Sequence, residues 1–444
     1  MTRKFFGTDG IRGMANEFLT ADLAMTLGRA AMAVLPSERP IVLVGRDTRI
    51  SGGMLEAALV AGLSSAGGLV VQAGVIPTPA LAGLVVAEGA DAGAVISASH
   101  NPYKDNGIKF FGSTGFKLTD EQELEMERYL TGESVAEVSG DPGRIGALYD
   151  ATEIYVDGLL EQFDLDLSRF RILLDCANGA TYRSSPLAFD RLGADITVIN
   201  DSPDGYNINK DCGSTHMEQL QDLVQNGRYD LGFAYDGDGD RVLAVDSTGE
   251  LVDGDFIMAI CANYLKEQGR LPADTIVTTV MTNLGFHTAM QDLGISVKTT
   301  AVGDRYVLEE MLAGGFGFGG EQSGHLINLE TGTTGDGLAT SLLLLEVMSN
   351  TGASLSELAR VMTRLPQKLV NVRVKNLAGL EKAASVWARI DEEQARLGDA
   401  GRILVRTSGT EPLVRVMVEA STEELCSSVC DRIVAEVELN LGTA

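Results

Sequence analysis

The sequence is poor in cysteine, aromatics and basic residues, and it lacks long apolar runs. Its five cysteines, Cys176, Cys212, Cys261, Cys426 and Cys430, are scattered and odd in number. No Cys-x-x-Cys pair occurs, so neither a disulfide framework nor a zinc site is indicated. They are expected to be buried, inert thiols. No apolar stretch is long enough to cross a bilayer. The opening Met-Thr-Arg-Lys-Phe-Phe-Gly-Thr-Asp-Gly does not read as a secretory signal, and the expected location is the cytoplasm. The sequence has no Gly-Lys pair and therefore no Walker A loop. Only 35 Lys and Arg face 62 Asp and Glu, a net charge of −27. That balance argues against nucleic acid and anionic membranes as partners. An anionic ligand would need cations gathered locally, which makes short Arg- or Lys-bearing loops informative.

At 444 residues the chain exceeds one ordinary core. Hydrophobic content of 45% and 51 glycines fit a soluble α/β protein with many tight strand-to-helix turns. Ile41-Val42-Leu43-Val44 reads as a strand covered on both faces, followed by a turn and a helix over 54–66. Further strands are expected at 93–96 and 107–111. Thr119-Asp120-Glu121-Gln122 caps a helix. Residues 131–147 lose periodicity and read as a linker. The pattern restarts at Arg171–Asp175, with a helix near 183–192 and strands at 195–199 and 231–235. It restarts again at 275–280, with helices near 284–293 and 303–313, a strand near 295–300, and a helix ended by Leu365-Pro366. A strand at 369–374, a helix near 378–397, strands at 402–405 and 413–418, and a helix from Thr422 complete the chain. The expected architecture is α/β, with three similar α/β domains of mixed sheets (1–148, 149–253 and 254–366) and a smaller C-terminal α+β domain (367–444).

Asp236-Gly237-Asp238-Gly239-Asp240-Arg241 follows one of these strands. Its three carboxylates at alternate positions would point the same way if the loop were extended. Such crowding requires a metal or cations to neutralise it, and oxygen ligands suit Mg²⁺ or Ca²⁺. An EF-hand fails, because Arg241 and Ser247 stand where Gly and Glu are needed. Arg406-Thr407-Ser408-Gly409-Thr410-Glu411-Pro412, with Arg415 beyond, supplies the guanidinium groups and hydroxyls that grip a phosphate. Gly319-Gly320-Glu321-Gln322-Ser323-Gly324-His325 could read sugar hydroxyls. The GxGxxG at 315–320 opens no helix and is not a dinucleotide site. Phe6-Gly7-Thr8-Asp9-Gly10-Ile11-Arg12-Gly13 reads as a glycine-spaced loop with one arginine, and Gly45-Arg46-Asp47-Thr48-Arg49 as a polar strand end or part of a charged cleft.

Ser97-Ala98-Ser99-His100-Asn101-Pro102 ends the 93–96 strand. Neighbours on an extended chain face opposite ways, so His100 is poorly placed as the base for Ser99, and no GxSxG elbow surrounds it. A serine that takes up phosphate needs a metal and a cation instead. The Asp loop offers the first, and Lys104, Lys109 or Arg241 the second.

Together these stretches resemble the α-D-phosphohexomutase family over essentially the whole chain. FGTDGIRG, ISASHNP, DGDGDR, GGEQSGH and RTSGTEPLVRVMVE stand in the family's order. Gln322, where phosphomannomutases often carry Met, tilts the resemblance toward the aminosugar branch. The resemblance implies four domains around a central cleft, and reversible conversion of glucosamine 6-phosphate to glucosamine 1-phosphate through glucosamine 1,6-bisphosphate. Ser99 would be the phosphoserine. One Mg²⁺ per subunit would be held by Asp236, Asp238, Asp240 and a phosphate oxygen on Ser99. Arg241, Lys109, Arg12, His100 and His325 would serve the transfer. Glu321 and Ser323 would bind the sugar, and Arg406, Ser408, Gly409, Thr410 and Arg415 the other phosphate. A phosphosugar substrate and a homodimer are implied. Phosphomannomutase or phosphoglucomutase activity is the alternative within the family. A phosphatase or a non-catalytic phosphosugar-binding protein would use many of the same residues.

Overall fold

The computed structural model describes residues 4–7, 9–135, 140–407 and 412–442. The chain forms two compact units, one of Met1–Met281 with Ile295–Arg360 and one of Thr282–Gly294 with Val361–Ala444. Among the described residues, strands form four sheets, three in the larger unit and one in the smaller.

The first sheet runs in the order Ile11–Met14, Asp105–Gly112, Ala92–Ile96, Ile41–Arg46, Leu69–Val75, Ile145–Ala147. Its centre is parallel, as the apolar runs predict, because helices cover both faces. Asp105–Gly112 turns back antiparallel onto Ala92–Ile96 and sets Lys109 opposite Val95. Ile11–Met14 then pairs with Asp105–Gly112 and sets Arg12 opposite Gly107. The N-terminal stretch is therefore partly a strand, where a loop was expected. Ile145–Ala147 likewise pairs with Leu69–Val75 inside the expected linker.

The second sheet runs Leu251–Val252, Val242–Asp246, Leu231–Tyr235, Arg171–Asp175, Asp195–Ile199. The Asp loop is the turn of its antiparallel hairpin. The third runs Ser296–Thr300, Thr275–Thr279, Phe318–Gly320, Leu326–Asn328, with His325 in the last turn. Functional loops thus leave strand ends, the usual place for sites on sheets of this kind.

The smaller unit has an antiparallel sheet, Gln367–Arg373, Leu413–Glu419, Arg402–Thr407, covered by Ala384–Leu397 and Glu423–Leu441. Val372, Val386, Val414, Val416, Val429 and Ile433 lie in its core. The helix Leu284–Asp292, which links the parallel strands Thr275–Thr279 and Ser296–Thr300, groups with this unit. Asn283 holds it there: its amide donates to the Leu365 carbonyl at 3.0 Å, and its Oδ1 accepts from the Leu365 N–H at 3.0 Å. The same bonds explain why no helix reaches Leu365. The last helical turns before it are Leu355–Leu358 and Ala359–Val361.

Thr119 and Gln122 form the expected capping box on Asp120–Leu130. All five cysteines are buried and free. No described helix is long and apolar enough to cross a membrane.

Candidate active site

Ser99 lies just past Ala92–Ile96 and is fully buried. Its φ is +51°, a left-handed conformation that a residue without Gly's freedom adopts only when held. The holding groups are at hand. Its N–H donates to Ser97 Oγ at 2.9 Å, and Ser97 in turn donates to Asp47 Oδ2 at 2.7 Å. Its carbonyl accepts from Arg49 at 2.8 Å and from Asn209 at 2.9 Å. Arg49 also donates to the carbonyls of Asn101, Pro102 and Asp105 and to Asp47 Oδ2. All five guanidinium N–H groups are thereby used. Gly45 and Arg46 end the strand Ile41–Arg46, as one of the two readings had it, and Asp47 and Arg49 just beyond it scaffold the serine loop from inside.

The left-handed turn also changes the relation between Ser99 and His100. The chain is not extended there, and Ser99 Oγ comes within 3.5 Å of His100 Nδ1. That nitrogen accepts a hydrogen bond from Arg241 at 3.0 Å. Burial and the nearby Arg241 and Arg12 push the His100 pKa down to about 4. Ser99 Oγ donates to Asp236 Oδ2 at 2.5 Å.

The Asp loop is folded, not extended. Gly239 has φ +72°, and its N–H bonds the Asp236 carbonyl at 3.1 Å. A side chain at Gly237 would meet the Ser99 carbonyl at 2.6 Å, so glycine permits the two loops to touch. The turn brings Asp236, Asp238 and Asp240 together, with ligand oxygens within 4.8 Å of one another. Their exposures are 0%, 0% and 5%. Burial and the other two carboxylates raise the Asp236 pKa well above the usual range. Asp240 goes the other way: burial opposes it, but His325, Lys109 and Arg241 hold it well below. Asp238 Oδ1 and Asp240 Oδ1 are buried with no hydrogen-bond partner. Orphaned, convergent carboxylate oxygens fit a hard divalent cation.

Cations surround this triad. Lys109 Nζ is 3.1 Å from Asp238, 3.1 Å from Asp9 and 3.6 Å from Asp240. Burial works against its charge, yet the three carboxylates raise its pKa above the usual lysine value. Arg241 Nε is 3.7 Å from Asp240, and the Arg241 backbone N–H donates to Asp236 Oδ1 at 3.2 Å. Arg12 pairs with Asp9. Lys104 is exposed and outside the cluster. His325 Nδ1 is 3.6 Å from Asp240, and in the neutral ring Nε2 accepts from the Gly335 N–H at 3.2 Å. Burial lowers the His325 pKa, but Asp240 and Asp304 reverse this and raise it.

The sugar-type loop is less simple than its sequence. Glu321 Oε1 accepts from the Gly303 N–H at 3.0 Å, and Ser323 is exposed. Gln322 donates to the buried Asp255 at 3.1 Å, so its amide is bound to the start of the helix Gly254–Glu267. In the smaller unit, Arg406 and Arg415 are register partners on adjacent strands. Burial and Arg415 lower the Arg406 pKa, as expected for partly buried neighbouring like charges. Ser408, Gly409 and Thr410 lie outside the described residues, as does Thr8 of the N-terminal motif.

Sequence reasoning missed Asp47, Arg49, Thr78, Asp9, Lys117 and Asp304 as members of this cluster. Thr78 donates to Asp238 Oδ2 at 2.6 Å, from a segment with no polar signature. Asp9 and Arg49 stood inside quoted motifs, but nothing in spacing reveals which carboxylate a distant lysine meets.

Comparison with known proteins agrees with this picture. Four family models for phosphoglucomutase/phosphomannomutase match: α/β/α domain I at residues 3–136, domain II at 153–249, domain III at 253–365 and the C-terminal domain at 369–436. The phosphoglucosamine mutase of Oceanobacillus iheyensis is 52% identical over 443 residues, covering 99% of each chain. That of Bacillus subtilis is 51% identical over 444 residues, also covering 99% of each. The crystal structure of a phosphoglucomutase/phosphomannomutase family protein from Burkholderia thailandensis superposes with a TM-score of 0.81 at 25% identity, covering 99% of each chain. The serine loop, the buried Asp triad and these full-length matches lead to one conclusion: the chain belongs to the phosphoglucomutase/phosphomannomutase family.

Proposed function

We propose that the chain interconverts glucosamine 6-phosphate and glucosamine 1-phosphate, with Ser99 as the phosphate carrier. The observation that carries this reading is the hydrogen bond from Ser99 Oγ to Asp236, inside a buried triad flanked by Lys109 and Arg241. A serine bound to a hydrolytic base would look different. Here the adjacent histidine nitrogen is taken by Arg241.

In the forward direction the sugar 1-hydroxyl oxygen bonds to phosphorus as the bond between phosphorus and Ser99 Oγ breaks. Ser99 Oγ gains a proton as the sugar hydroxyl gives one up, and glucosamine 1,6-bisphosphate results. After the sugar reverses, Ser99 Oγ gives up that proton and bonds to the phosphorus of the 6-phosphate as the bond from phosphorus to the sugar O6 breaks; O6 takes up a proton, and glucosamine 1-phosphate departs. The transferring group carries its negative charge among Lys109, Arg241 and Arg12, whose fixed charges favour the transition state. Asp236, Asp238 and Asp240 would hold one Mg²⁺, which supplies neutralisation of phosphoryl oxygens when bound. Once phosphorylated, Ser99 Oγ has no proton to donate, so its bond to Asp236 belongs to the dephosphorylated chain. Burial of the surrounding carboxylates keeps water from competing for the phosphoserine.

Glu321 and Ser323 are assigned to the sugar, and His100 and His325, with Lys109, Arg12 and Arg241, to the transfer. Arg406 and Arg415, paired like charges, suit a phosphate, with Ser408, Gly409 and Thr410 completing that loop. The matched family segments support domains at 1–148, 149–253, 254–366 and 367–444. A homodimer in the cytoplasm accompanies this reading.

The test is a comparison of kcat/KM for glucosamine, glucose and mannose phosphates. The reading expects glucosamine phosphate to be preferred at least about tenfold. A preference for mannose or glucose phosphate would replace it with the phosphomannomutase/phosphoglucomutase alternative, and release of free phosphate as the main product would make the chain a phosphatase.

A further inference from the structure

The helix Asp304–Gly314 begins with two residues of opposite charge, and each meets opposite charges on the segment around Lys117–Glu123. Asp304 pairs with Lys117, and Arg305 pairs with Asp120 and, at 3.2 Å, with Glu123. Side chains of Lys117, Asp304, Arg305 and Glu123 are 16%, 18%, 15% and 9% exposed, so solvent screens the Lys117–Asp304 and Arg305–Glu123 pairs weakly, whereas Asp120 is half-exposed and its pair is screened more. Two adjacent pairs of opposite polarity fix orientation as well as distance. Shifting the contact by one residue would set Asp304 against Glu123 or Arg305 against Lys117.

Both sides of this contact lead into the catalytic cluster. On one side, Lys117 pairs with Asp9 at 2.6 Å, and Asp9 with Lys109 at 3.1 Å. On the other, the Gly303 N–H holds Glu321 at 3.0 Å, and Asp304 lies 3.7 Å from His325 Nε2. His325 and Lys109 each lie 3.6 Å from Asp240, which closes a ring of alternating charge: Asp240, Lys109, Asp9, Lys117, Asp304, His325. Among the described residues, Lys117 and Asp304 form no hydrogen bond or ion pair with Ser99 or the Asp triad. Their influence runs through Asp9 and His325.

We propose that Lys117 and Asp304 are positioning residues, and that with Arg305 they form a two-point latch holding the Glu321–His325 loop in register with the strand bearing Lys109. The inference rests on the phosphoryl-transfer reading above, because that reading gives the register its catalytic value. Phosphoryl transfer depends on alignment, and a displacement of about 1 Å can cost on the order of a hundredfold in rate.

The test uses the full chain with Lys117→Met, Lys117→Arg and Asp304→Asn. In mutase assays, Lys117→Met and Asp304→Asn should lower kcat about tenfold or more, with KM changed less than about threefold. Lys117→Arg keeps both ion pairs and should retain kcat within about threefold. The double variant should be no worse than about twofold below the poorer single, since both residues act through one contact. A Lys117→Met kcat within about twofold of wild type overturns the latch, as does a Lys117→Arg variant as impaired as Lys117→Met. Amide hydrogen exchange at residues 321–325 provides a second readout that needs no turnover. The latch predicts faster exchange there in Lys117→Met and Asp304→Asn, and unchanged exchange contradicts it. A wild-type chain without mutase turnover would refute the functional reading, while the exchange measurement still decides the latch.

Discussion

The guanidinium of Arg49 donates to the carbonyl of Ser99 at 2.8 Å, and three of its other four N–H groups tie the carbonyls of Asn101, Pro102 and Asp105 in place while the fourth pairs with Asp47. Lysine has a comparable charge but no planar fork and only three donors. Arg49→Lys should therefore leave buried carbonyls unmatched and release the left-handed Ser99 conformation. The expected cost is about 3 kcal/mol in unfolding free energy, with kcat lowered at least tenfold. Denaturant unfolding and steady-state kinetics on the same preparation check both.

The Asp triad predicts a ligand effect on stability. Mg²⁺ should raise Tm in the wild type, by an amount corresponding to about 2.7 kcal/mol at a hundred times Kd. Asp236 is the carboxylate whose charge is most opposed by its neighbours. Asp236→Asn should lose the Mg²⁺-dependent rise while keeping a metal-free Tm equal to or above that of wild type. Thermal melts across a Mg²⁺ series with and without chelator decide this. An unchanged Mg²⁺ shift in the variant would remove the triad as the metal site.

Asp336 caps the helix Gly337–Thr351 and accepts the Tyr155 hydroxyl at 2.9 Å. Burial raises its pKa to about 6, despite the stabilising bonds from Ala339 and Tyr155. The folded state therefore binds this proton more tightly than the unfolded state. The contribution to stability is full below about pH 4 and is lost as pH rises through 6. Asparagine retains the cap and accepts the same hydroxyl without a charge. Asp336→Asn should gain up to about 3 kcal/mol over wild type at pH 8, with the gain vanishing near pH 4. A pH-independent difference between the two proteins would contradict this.

Gln322 carried the sequence argument for an aminosugar, yet its amide is bonded to buried Asp255. Gln322→Met should therefore change the ratio of kcat/KM for glucosamine and glucose phosphates by less than about tenfold, while costing about 1–2 kcal/mol of stability through the donor lost to Asp255. A complete switch in substrate preference would make Gln322 a direct reader of the sugar.

Much of the fold was legible because its signals are local. The apolar run Ile41–Val44, the capping residues Thr119 and Gln122, and the strand before Asp236 all announce themselves within a few residues. Helices such as Thr78–Ala87 and Gly337–Thr351 were not, because they are buried nearly all round and lack a polar stripe. The site divides in the same way. Ser99 and the Asp loop stand in short, unusual motifs. Their partners do not: Thr78 reaches Asp238 across 160 positions, and Lys117 reaches Asp304 across 187. Such pairs are products of the fold. Even the motifs misled about local shape, since both the serine loop and the Asp loop are turns held by positive φ at Ser99 and Gly239.

In the proposed mechanism Ser99 carries the phosphoryl group between sugar positions. The most direct measurement is the intact mass of the full chain, before and after incubation with glucosamine 1,6-bisphosphate, beside mutase turnover in wild type and Ser99→Ala. The wild type should show a form heavier by one phosphate, and Ser99→Ala should show no such form and lose nearly all turnover. Near-normal turnover in a Ser99→Ala protein that carries no phosphate would contradict it.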